Sequence, residues 1–96
     1  MKKVPRNFVQ YGTTLRQVAR EGNVAVYEQT QAGRVVGYEV VIIRTMPAQH
    51  MFGTLVPMRE RYPRSEDWGK YGWTVGSKEE AMNKFRALTH REHVGA

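Results

Sequence analysis

The residues best suited to bind a charged ligand are concentrated in one segment of the chain, residues 59–73. Its sequence is R-E-R-Y-P-R-S-E-D-W-G-K-Y-G-W, in which four basic side chains and four aromatic rings are interleaved. Lysine and arginine neutralise phosphates and flat rings stack on bases, so this mixture suits a nucleic-acid surface. The same aromatic rings are equally suited to anchor a long loop on a small core. The sequence leaves both interpretations open.

Acidic residues limit how strongly this segment would attract a polyanion. Glu60, Glu66 and Asp67 oppose the four basic residues, so the local charge nearly cancels. Trp73 lies in an alternating pattern typical of a core position, whereas Trp68 suits the core and the surface equally. Arginines would serve as phosphate or carboxylate forks, and the exposed rings as stacking or docking anchors. The predicted binding surface consists of Arg59, Arg61, Arg64, Trp68, Lys70 and Tyr71, with secondary basic contacts from Lys2, Lys3, Arg6, Arg16 and Arg20.

The spacing of the polar residues does not indicate a catalytic or metal-binding site. His90 and His93 form an H-x-x-H pair, but two ligands are too few for a closed zinc site, and His50 stands apart from them. Asp67 is the only aspartate, and the glycines match no phosphate-binding loop. A small basic ribonuclease toxin is an alternative, although such toxins usually place two helices before their sheet. We therefore predict a binding protein without catalytic residues, metal or cofactor.

The size and composition of the chain define the class of molecule that positions these residues. A chain of 96 residues is expected to form one domain, residues 1–96, around a single core. It contains no cysteine, which excludes disulfides and thiolate metal sites. The net charge of +6 favours nucleic acid or an acidic protein surface as partner. Because no apolar run suits a membrane span or a signal peptide, we expect a cytoplasmic protein without a membrane partner.

The clearest regular element is a β-hairpin in residues 24–44. Two runs of β-branched and aromatic side chains flank the dipeptide Ala32-Gly33, which reads as a two-residue turn. This turn would place Tyr27 opposite Tyr38 on the two strands. Glu39, in the middle of the second strand, then predicts a sheet face that is partly exposed to water near the turn.

A C-terminal helix is predicted for residues 78–90. Ser77 and Glu80 match a capping box, in which each side chain bonds to the backbone N–H of the other residue. One face of this helix carries the apolar residues Ala81, Phe85 and Leu88 at helical spacing. This apolar face should pack on the sheet.

The other segments give weaker signals. Residues 71–75 alternate as a third strand, and residues 14–21 have the spacing of one or two helical turns. Residues 1–10 are expected to form a loose basic arm. Residues 45–70 are expected to form a long loop, in which residues 54–56 could be a short edge strand. The predicted fold is α+β, an antiparallel sheet of three or four strands with the C-terminal helix packed on one face.

Three segments resemble small uncharacterised proteins encoded by bacteriophages and plasmids. They are E-x-Y-P-x-S-E-x-W-G-x-x-G-W-T, which begins at Glu60, the residues that follow it from Ser77 and Glu80-Ala81 through Phe85, and G-Y-E-V-V-I-I-R, which begins at Gly37. The resemblance implies an accessory role in a bacterial cytosol, with no catalytic residue or ligand assigned. We therefore hypothesise an accessory protein of a mobile element that engages nucleic acid or a nucleic-acid-handling complex. Alternatives are a protein-interaction module or inhibitor on an acidic host surface, and a homodimer through the outer edge of strand 24–30.

Overall fold

The computed structural model describes residues 1–94, with side chains through His90. It contains a five-stranded antiparallel sheet and one C-terminal helix, which confirms the predicted α+β class with more strands than expected. In chain order the elements are β1 (Asn7–Gln10), β2 (Thr13–Glu21), β3 (Val24–Gln31), β4 (Arg34–Ile42), β5 (Arg44–Met46), β6 (Gln49–Met51), β7 (Thr54–Val56), β8 (Arg59–Arg61), β9 (Gly72–Val75) and α1 (Lys78–Val94). The order of strands in the five-stranded sheet is β1-β2-β3-β4-β9.

The helix predicted for residues 14–21 is wrong, because this segment forms strand β2. It pairs with both β1 and β3. Between Gln17 and Ala19 the register shifts by one residue, so Val18 is an extra, bulged residue. The bulge interrupts the strict alternation of a strand. Leu15, Val18 and Ala19 therefore fall at a spacing that imitates a helical face in the sequence.

The hairpin of β3 and β4 has the predicted turn but a different register. Ala32-Gly33 forms the turn, with φ angles of 50° and 75°. A one-residue shift follows, with Val36 as the extra residue of β4. Tyr27 therefore lies opposite Glu39, and the predicted pairing with Tyr38 is wrong. The shift moves every residue between Gly37 and the end of the strand by one position relative to its expected partner.

Two segments that were predicted to be unpaired, the outer edge of strand 24–30 and the N-terminal arm, are both paired with other strands. Strand β3 is paired on both sides, so the proposed dimer edge at residues 24–30 is not available. The outer strands of the described sheet are β1 and β9. The N-terminal residues are not a loose arm either, since Asn7–Gln10 pairs with β2 and Lys2 forms a bridge with Arg59.

Residues 45–70, expected to be a long loop, contain a second β-hairpin. Strand β5 pairs with β8, and β6 pairs with β7, in one continuous register. We call this hairpin, residues 44–61, the ribbon arm. Pro47 and Pro57 interrupt its ladder because proline has no N–H to donate. Its tip is Phe52-Gly53, and the predicted strand 54–56 is confirmed as β7.

One face of the sheet is covered by the C-terminal helix. Glu80 donates its backbone N–H to Ser77 Oγ at 3.1 Å, so the predicted N-cap is confirmed. Trp73 packs at the border of this helix-side core, as expected, with Lys84 Nζ 4.3 Å from its ring centre. The helix-side core joins Val24, Val26, Tyr38 and Val40 of the sheet to Ala81, Phe85 and Leu88 of the helix.

The opposite face of the sheet has its own core, covered by loops. The buried residues here are Leu15, Ala25, Tyr27, Val41 and Ile43. Val4 and Phe8 cover them from the N-terminal segment, and Tyr62 and Trp68 from the segment that follows the ribbon arm. The rings of Phe8, Tyr27 and Tyr62 meet edge to face with centroids 5.1–5.5 Å apart. This loop-side core fixes both segments that carry the predicted basic residues.

Candidate functional site

The base of the ribbon arm brings three arginines onto one face of a two-stranded ladder. Arg44 of β5 lies opposite Arg61 of β8, and Met46 lies opposite Arg59. Directly opposed residues, and residues two apart on a strand, point to the same side. Arg44, Arg59 and Arg61 therefore share one face, and we call them the arginine cluster. Glu60 lies on the opposite face, so it does not neutralise the cluster as the sequence suggested.

A short 3₁₀ turn, Ser65–Asp67, carries the carboxylate that faces the arginine cluster. Asp67 Oδ2 lies 2.8 Å from Arg44 Nη2 and 3.9 Å from Arg61 Nη2. The same oxygen accepts a hydrogen bond from the backbone N–H of Arg64 at 3.0 Å. This backbone hydrogen bond, together with the charges of Arg44 and Arg61, lowers the pKa of Asp67. Asp67 therefore remains ionised at neutral pH and orients two of the three guanidinium groups.

Three N–H groups of the arginine cluster have no hydrogen-bond partner among the described residues. They are Arg44 Nε, Arg59 Nη1 and Arg61 Nε, and all three nitrogen atoms are buried. Buried donors in native proteins nearly always bond to protein, water or a ligand. Guanidinium forks match the oxygen geometry of a phosphate. These three nitrogen atoms are themselves enclosed, but the side chains of Arg44 and Arg61 are 30% and 20% exposed, so a phosphate at this face could contact their accessible part.

The other predicted residues at this end of the molecule flank the cluster. Arg64 and Lys70 are exposed. Tyr71 is half-buried, and its ring centre lies 4.1 Å from the Arg44 guanidinium and 5.3 Å from Lys70 Nζ. These cation–π contacts occupy the ring and help to hold Arg44 in place. Tyr71 thus supports the cluster instead of offering an open face for stacking.

Trp68 is half-buried and is held from two directions. Its ring lies against Gly72 so closely that a Cβ atom on Gly72 would be 2.6 Å away. Its Nε1 donates a hydrogen bond to Thr74 Oγ1 at 3.0 Å. The ring also packs against the loop-side core. The side chain nevertheless lines a surface pocket, so one part of it is available to a ligand.

This pocket, which we call the Tyr11–Trp68 pocket, has a volume of about 380 Å³ and combines aromatic side chains with a carboxylate. Tyr11 is 96% exposed at the tip of the β1–β2 hairpin. Glu39 accepts hydrogen bonds from Tyr62 Oη at 2.5 Å and from Gln29 Nε2 at 2.7 Å. Its burial raises the pKa of the carboxyl group. The lining residues are Gln10, Tyr11, Glu39, Pro63, Ser65, Trp68 and Thr74.

Trp68 was a predicted site residue, whereas two of its neighbours in the pocket, Tyr11 and Glu39, were not. Glu39 was expected to mark a sheet face that is partly exposed to water, and it is half-buried, hydrogen-bonded and part of the pocket lining. Tyr11-Gly12 has φ angles of 53° and 76°. These resemble the angles of Ala32-Gly33, so the Tyr-Gly dipeptide is the signal that could have revealed the β1–β2 turn.

The secondary basic residues divide into paired and free groups. Arg20 donates to both oxygens of Glu60, at 3.1 and 2.7 Å, and Arg16 lies 3.3 Å from Glu28. Arg20 therefore serves the fold, whereas Arg16 is paired but exposed. Lys2, Lys3 and Arg6 are also exposed. Lys3 and Arg6 line a cavity of about 530 Å³ beside Arg20, and Lys2 lies at the arm base.

No family model matches this chain. No curated protein and no solved structure matches it either, so the resemblance to phage and plasmid proteins stays a prediction. Within residues 1–94, no helix is long and apolar enough to cross a membrane. The described side chains form no group of three or more that could hold a metal ion. His50 and His90 are exposed, and the side chain of His93 lies outside the described residues.

Proposed function

We propose that this protein binds nucleic acid and that the arginine cluster holds the phosphate backbone. The observation that carries the proposal is the set of three arginines on one ladder face, which a single carboxylate, that of Asp67, contacts among the described residues. Arg64 and Lys70 extend the positive surface on one side, and Lys2 lies at the arm base. The neighbouring turn carries two acidic residues, Glu66 and Asp67, which are outnumbered by these six basic residues.

A titration at several salt concentrations tests this proposal. Fluorescence anisotropy would follow labelled 12-nucleotide single strands of DNA and RNA, and a duplex, between low and moderate ionic strength. Each phosphate contact adds about one counterion to the slope of log affinity against log salt. We expect Arg61→Ala to weaken binding to all sequences alike and to reduce that slope by about one. Arg61→Lys should keep the slope but bind more weakly, because lysine has no fork.

Arg86→Ala is the matched control for these variants. Arg86 is exposed on the helix, and its guanidinium bonds to Asn83 one turn away. This substitution removes the same charge at a distance from the ladder, so it should leave affinity and slope nearly unchanged. The proposal is wrong if no nucleic acid binds at low salt, or if Arg61→Ala and Arg86→Ala behave alike.

A second candidate is docking on an acidic protein surface, where the same arginines would bind carboxylates. The ribbon arm favours this alternative because it exposes four large apolar residues on its two faces: Met51, Phe52, Leu55 and Met58. Between residues 45 and 58 the arm has no acidic residue that would repel such a surface. An acidic peptide of the same charge as the oligonucleotides would be tested as a competitor. Protein docking is favoured if this peptide competes and if Leu55→Ser lowers its affinity. From the sequence resemblance alone, we place either activity in the cytosol of a bacterial host, as the accessory function of a mobile element.

A further inference from the structure

We propose that the Tyr11–Trp68 pocket binds a single unpaired guanine base, stacked on its aromatic side chains and hydrogen-bonded to Glu39. The inference deepens the proposed function, because it names the nucleic acid as a single strand and one base as the preferred ligand. Only the claim that the ligand is a single strand rests on the proposed function. Binding of the base itself can be tested separately with free nucleosides.

The two aromatic residues of the pocket differ in how they are held. Trp68 is fixed by Gly72 and by its hydrogen bond to Thr74, so its position does not depend on a ligand. Tyr11 is 96% exposed at a hairpin tip, so it contributes almost nothing to the core. One fixed ring and one free ring suit a planar ligand, because the free ring can close onto the second face. A volume of about 380 Å³ lies at the small end of ligand pockets and fits one ring system.

Glu39 determines which planar ligand fits. Each of its oxygens already accepts one hydrogen bond, from Tyr62 and from Gln29. An ionised carboxylate has about four acceptor positions, so two remain for a ligand. Among the described residues no lysine or arginine forms an ion pair with Glu39. The ligand must therefore supply donors, and guanine presents two adjacent ones, N1–H and N2–H, on its Watson–Crick edge.

The charges around the pocket separate a nucleotide from a cationic ligand. Aromatic rings with a carboxylate would also suit an ammonium or guanidinium group. However, the Ser65–Asp67 turn joins the two sites: Ser65 lines the pocket, and Asp67 contacts the arginine cluster. A cation would be repelled by the cluster, whereas the phosphate of a nucleotide would be attracted to it. The neighbouring positive surface therefore favours a base that carries its phosphate.

Trp68 provides the reporter for a direct test. In a Trp73→Phe background Trp68 is the only tryptophan, because the chain contains two. Fluorescence quenching would be titrated with the monophosphates of guanosine, adenosine, cytidine and uridine, and with guanosine itself. We expect guanosine monophosphate to bind at least about five-fold more tightly than the other three monophosphates. This ratio is about the contribution of one hydrogen bond or of weak stacking.

Three substitutions identify the origin of that preference. Glu39→Gln keeps the volume but replaces one acceptor by a donor, so the preference for guanine should disappear. Tyr11→Ser should weaken all four nucleotides by about five-fold or more, because stacking is tolerant of sequence. The matched control is Phe52→Ser, which removes an equally exposed aromatic ring from the tip of the other hairpin and should change nothing.

The outcomes distinguish the pocket from the arginine cluster. Equal affinity for all four nucleotides, or a guanine preference that survives Glu39→Gln, would overturn the inference. If Glu39→Gln does not fold, Tyr11→Ser still tests whether the nucleotides bind in this pocket, since a fully exposed side chain does not support the core. If 12-nucleotide strands bind with a salt dependence that neither pocket substitution changes, the arginine cluster is a binding site and the pocket is not. If guanosine binds but the strands show no salt-dependent binding, the pocket is a binding site and the proposed function is wrong.

Discussion

Glu60 stabilises the fold, whereas the two arginines beside it in β8 belong to the candidate binding site. Its neighbours in β8, Arg59 and Arg61, face the candidate site, whereas Glu60 faces the N-terminal segment. It accepts two hydrogen bonds from Arg20 and one from the backbone N–H of Val4 at 3.0 Å. The hydrogen bond from Arg20 is the main cause that lowers the pKa of Glu60 from its ordinary value of 4.5. Glu60 therefore fastens the base of the ribbon arm to the start of the chain.

The lowered pKa predicts how stability depends on pH. A carboxyl group whose pKa is lower in the folded state stabilises the protein above the unfolded-state value, and this contribution disappears as the pH falls through the folded value. We expect Glu60→Gln to lose about 1–3 kcal/mol at pH 7 and much less near pH 3. Urea unfolding across this range measures the difference. Glu28→Gln is the control and should lose less than about 1 kcal/mol, because its partner Arg16 is 61% exposed. Parallel pH curves for Glu60→Gln and the unsubstituted protein would contradict the prediction.

Gly72 predicts a second effect at the residue scale. A Cβ atom at this position would lie 2.6 Å from the Trp68 ring, which is too close for either group to stay in place. We expect Gly72→Ala to displace the ring, to change its fluorescence in the Trp73→Phe background, and to destabilise the fold by about 1–3 kcal/mol. Gly76→Ala is the control, since a Cβ there meets nothing within 4 Å. An unchanged emission spectrum for Gly72→Ala would show that Trp68 is not held by this contact.

At the scale of elements, the outer part of the ribbon arm, residues 47–58, is expected to be dispensable for folding. Strands β6 and β7 are almost entirely exposed and add no residue to either core. Because Met46 lies opposite Arg59, residues 47–58 can be replaced by Asn-Gly, which forms a two-residue hairpin turn. We expect the free energy of unfolding of this shortened chain to stay within about 1 kcal/mol of the original. Urea denaturation measures it, and a larger loss would mean that the arm supports the sheet.

The same shortened chain bears on the choice between partners. It retains the whole arginine cluster but loses Met51, Phe52, Leu55 and Met58. Salt-dependent binding of single strands should therefore be unchanged. Docking on a protein through these exposed apolar residues should be lost. A loss of nucleic-acid binding would place the main contact on residues 47–58 instead of the ladder at the base of the arm.

The elements also show which features a sequence can and cannot reveal. The Ala32-Gly33 turn and the capped helix were predicted because each depends on residues that are close in the chain. The bulges at Val18 and Val36 were not, since each extra residue is defined only by its partner strand. The ribbon arm was missed because both of its faces are exposed and its sequence does not alternate. Arg44 was absent from the predicted site for a related reason: only the strand register brings it beside Arg61.

For the molecule as a whole, the sheet is stabilised by two unlike layers. A helix with a contiguous apolar face covers one side, whereas short segments from both halves of the chain cover the other. The loop-side layer carries both halves of the candidate site, the ladder with its turn and the aromatic pocket. The candidate site therefore forms only when the segments of that layer are packed on the sheet. The N-terminal segment is its outermost part, and its removal tests how far the layer depends on it.

A chain that begins at Arg6, released from a fusion without extra residues, loses four contacts of the N-terminal segment. They are the packing of Val4, the Val4 N–H bond to Glu60, the Lys2 carbonyl that accepts from Glu60 N–H at 2.7 Å, and the Pro5 carbonyl, which accepts a hydrogen bond from Tyr27 Oη at 2.9 Å. We expect a loss of about 2–4 kcal/mol in the free energy of unfolding, from lost burial and from a Tyr27 O–H that loses its acceptor, although its oxygen still accepts from Gln17 Nε2 at 3.0 Å. A loose arm, as the sequence suggested, would give no loss.

A double-mutant cycle separates the hydroxyl from the packing. In the full chain Tyr27→Phe removes the hydrogen bond to the Pro5 carbonyl and the one that the hydroxyl accepts from Gln17 Nε2, and it should cost about 1–2 kcal/mol. In the shortened chain that carbonyl is already gone, so the same substitution should cost about 1 kcal/mol less. Urea unfolding of the four proteins gives this coupling energy. If the two changes simply add, Tyr27 does not hold the N-terminal segment, and the layer that supports the site depends on the packing of Val4 and on its bond to Glu60.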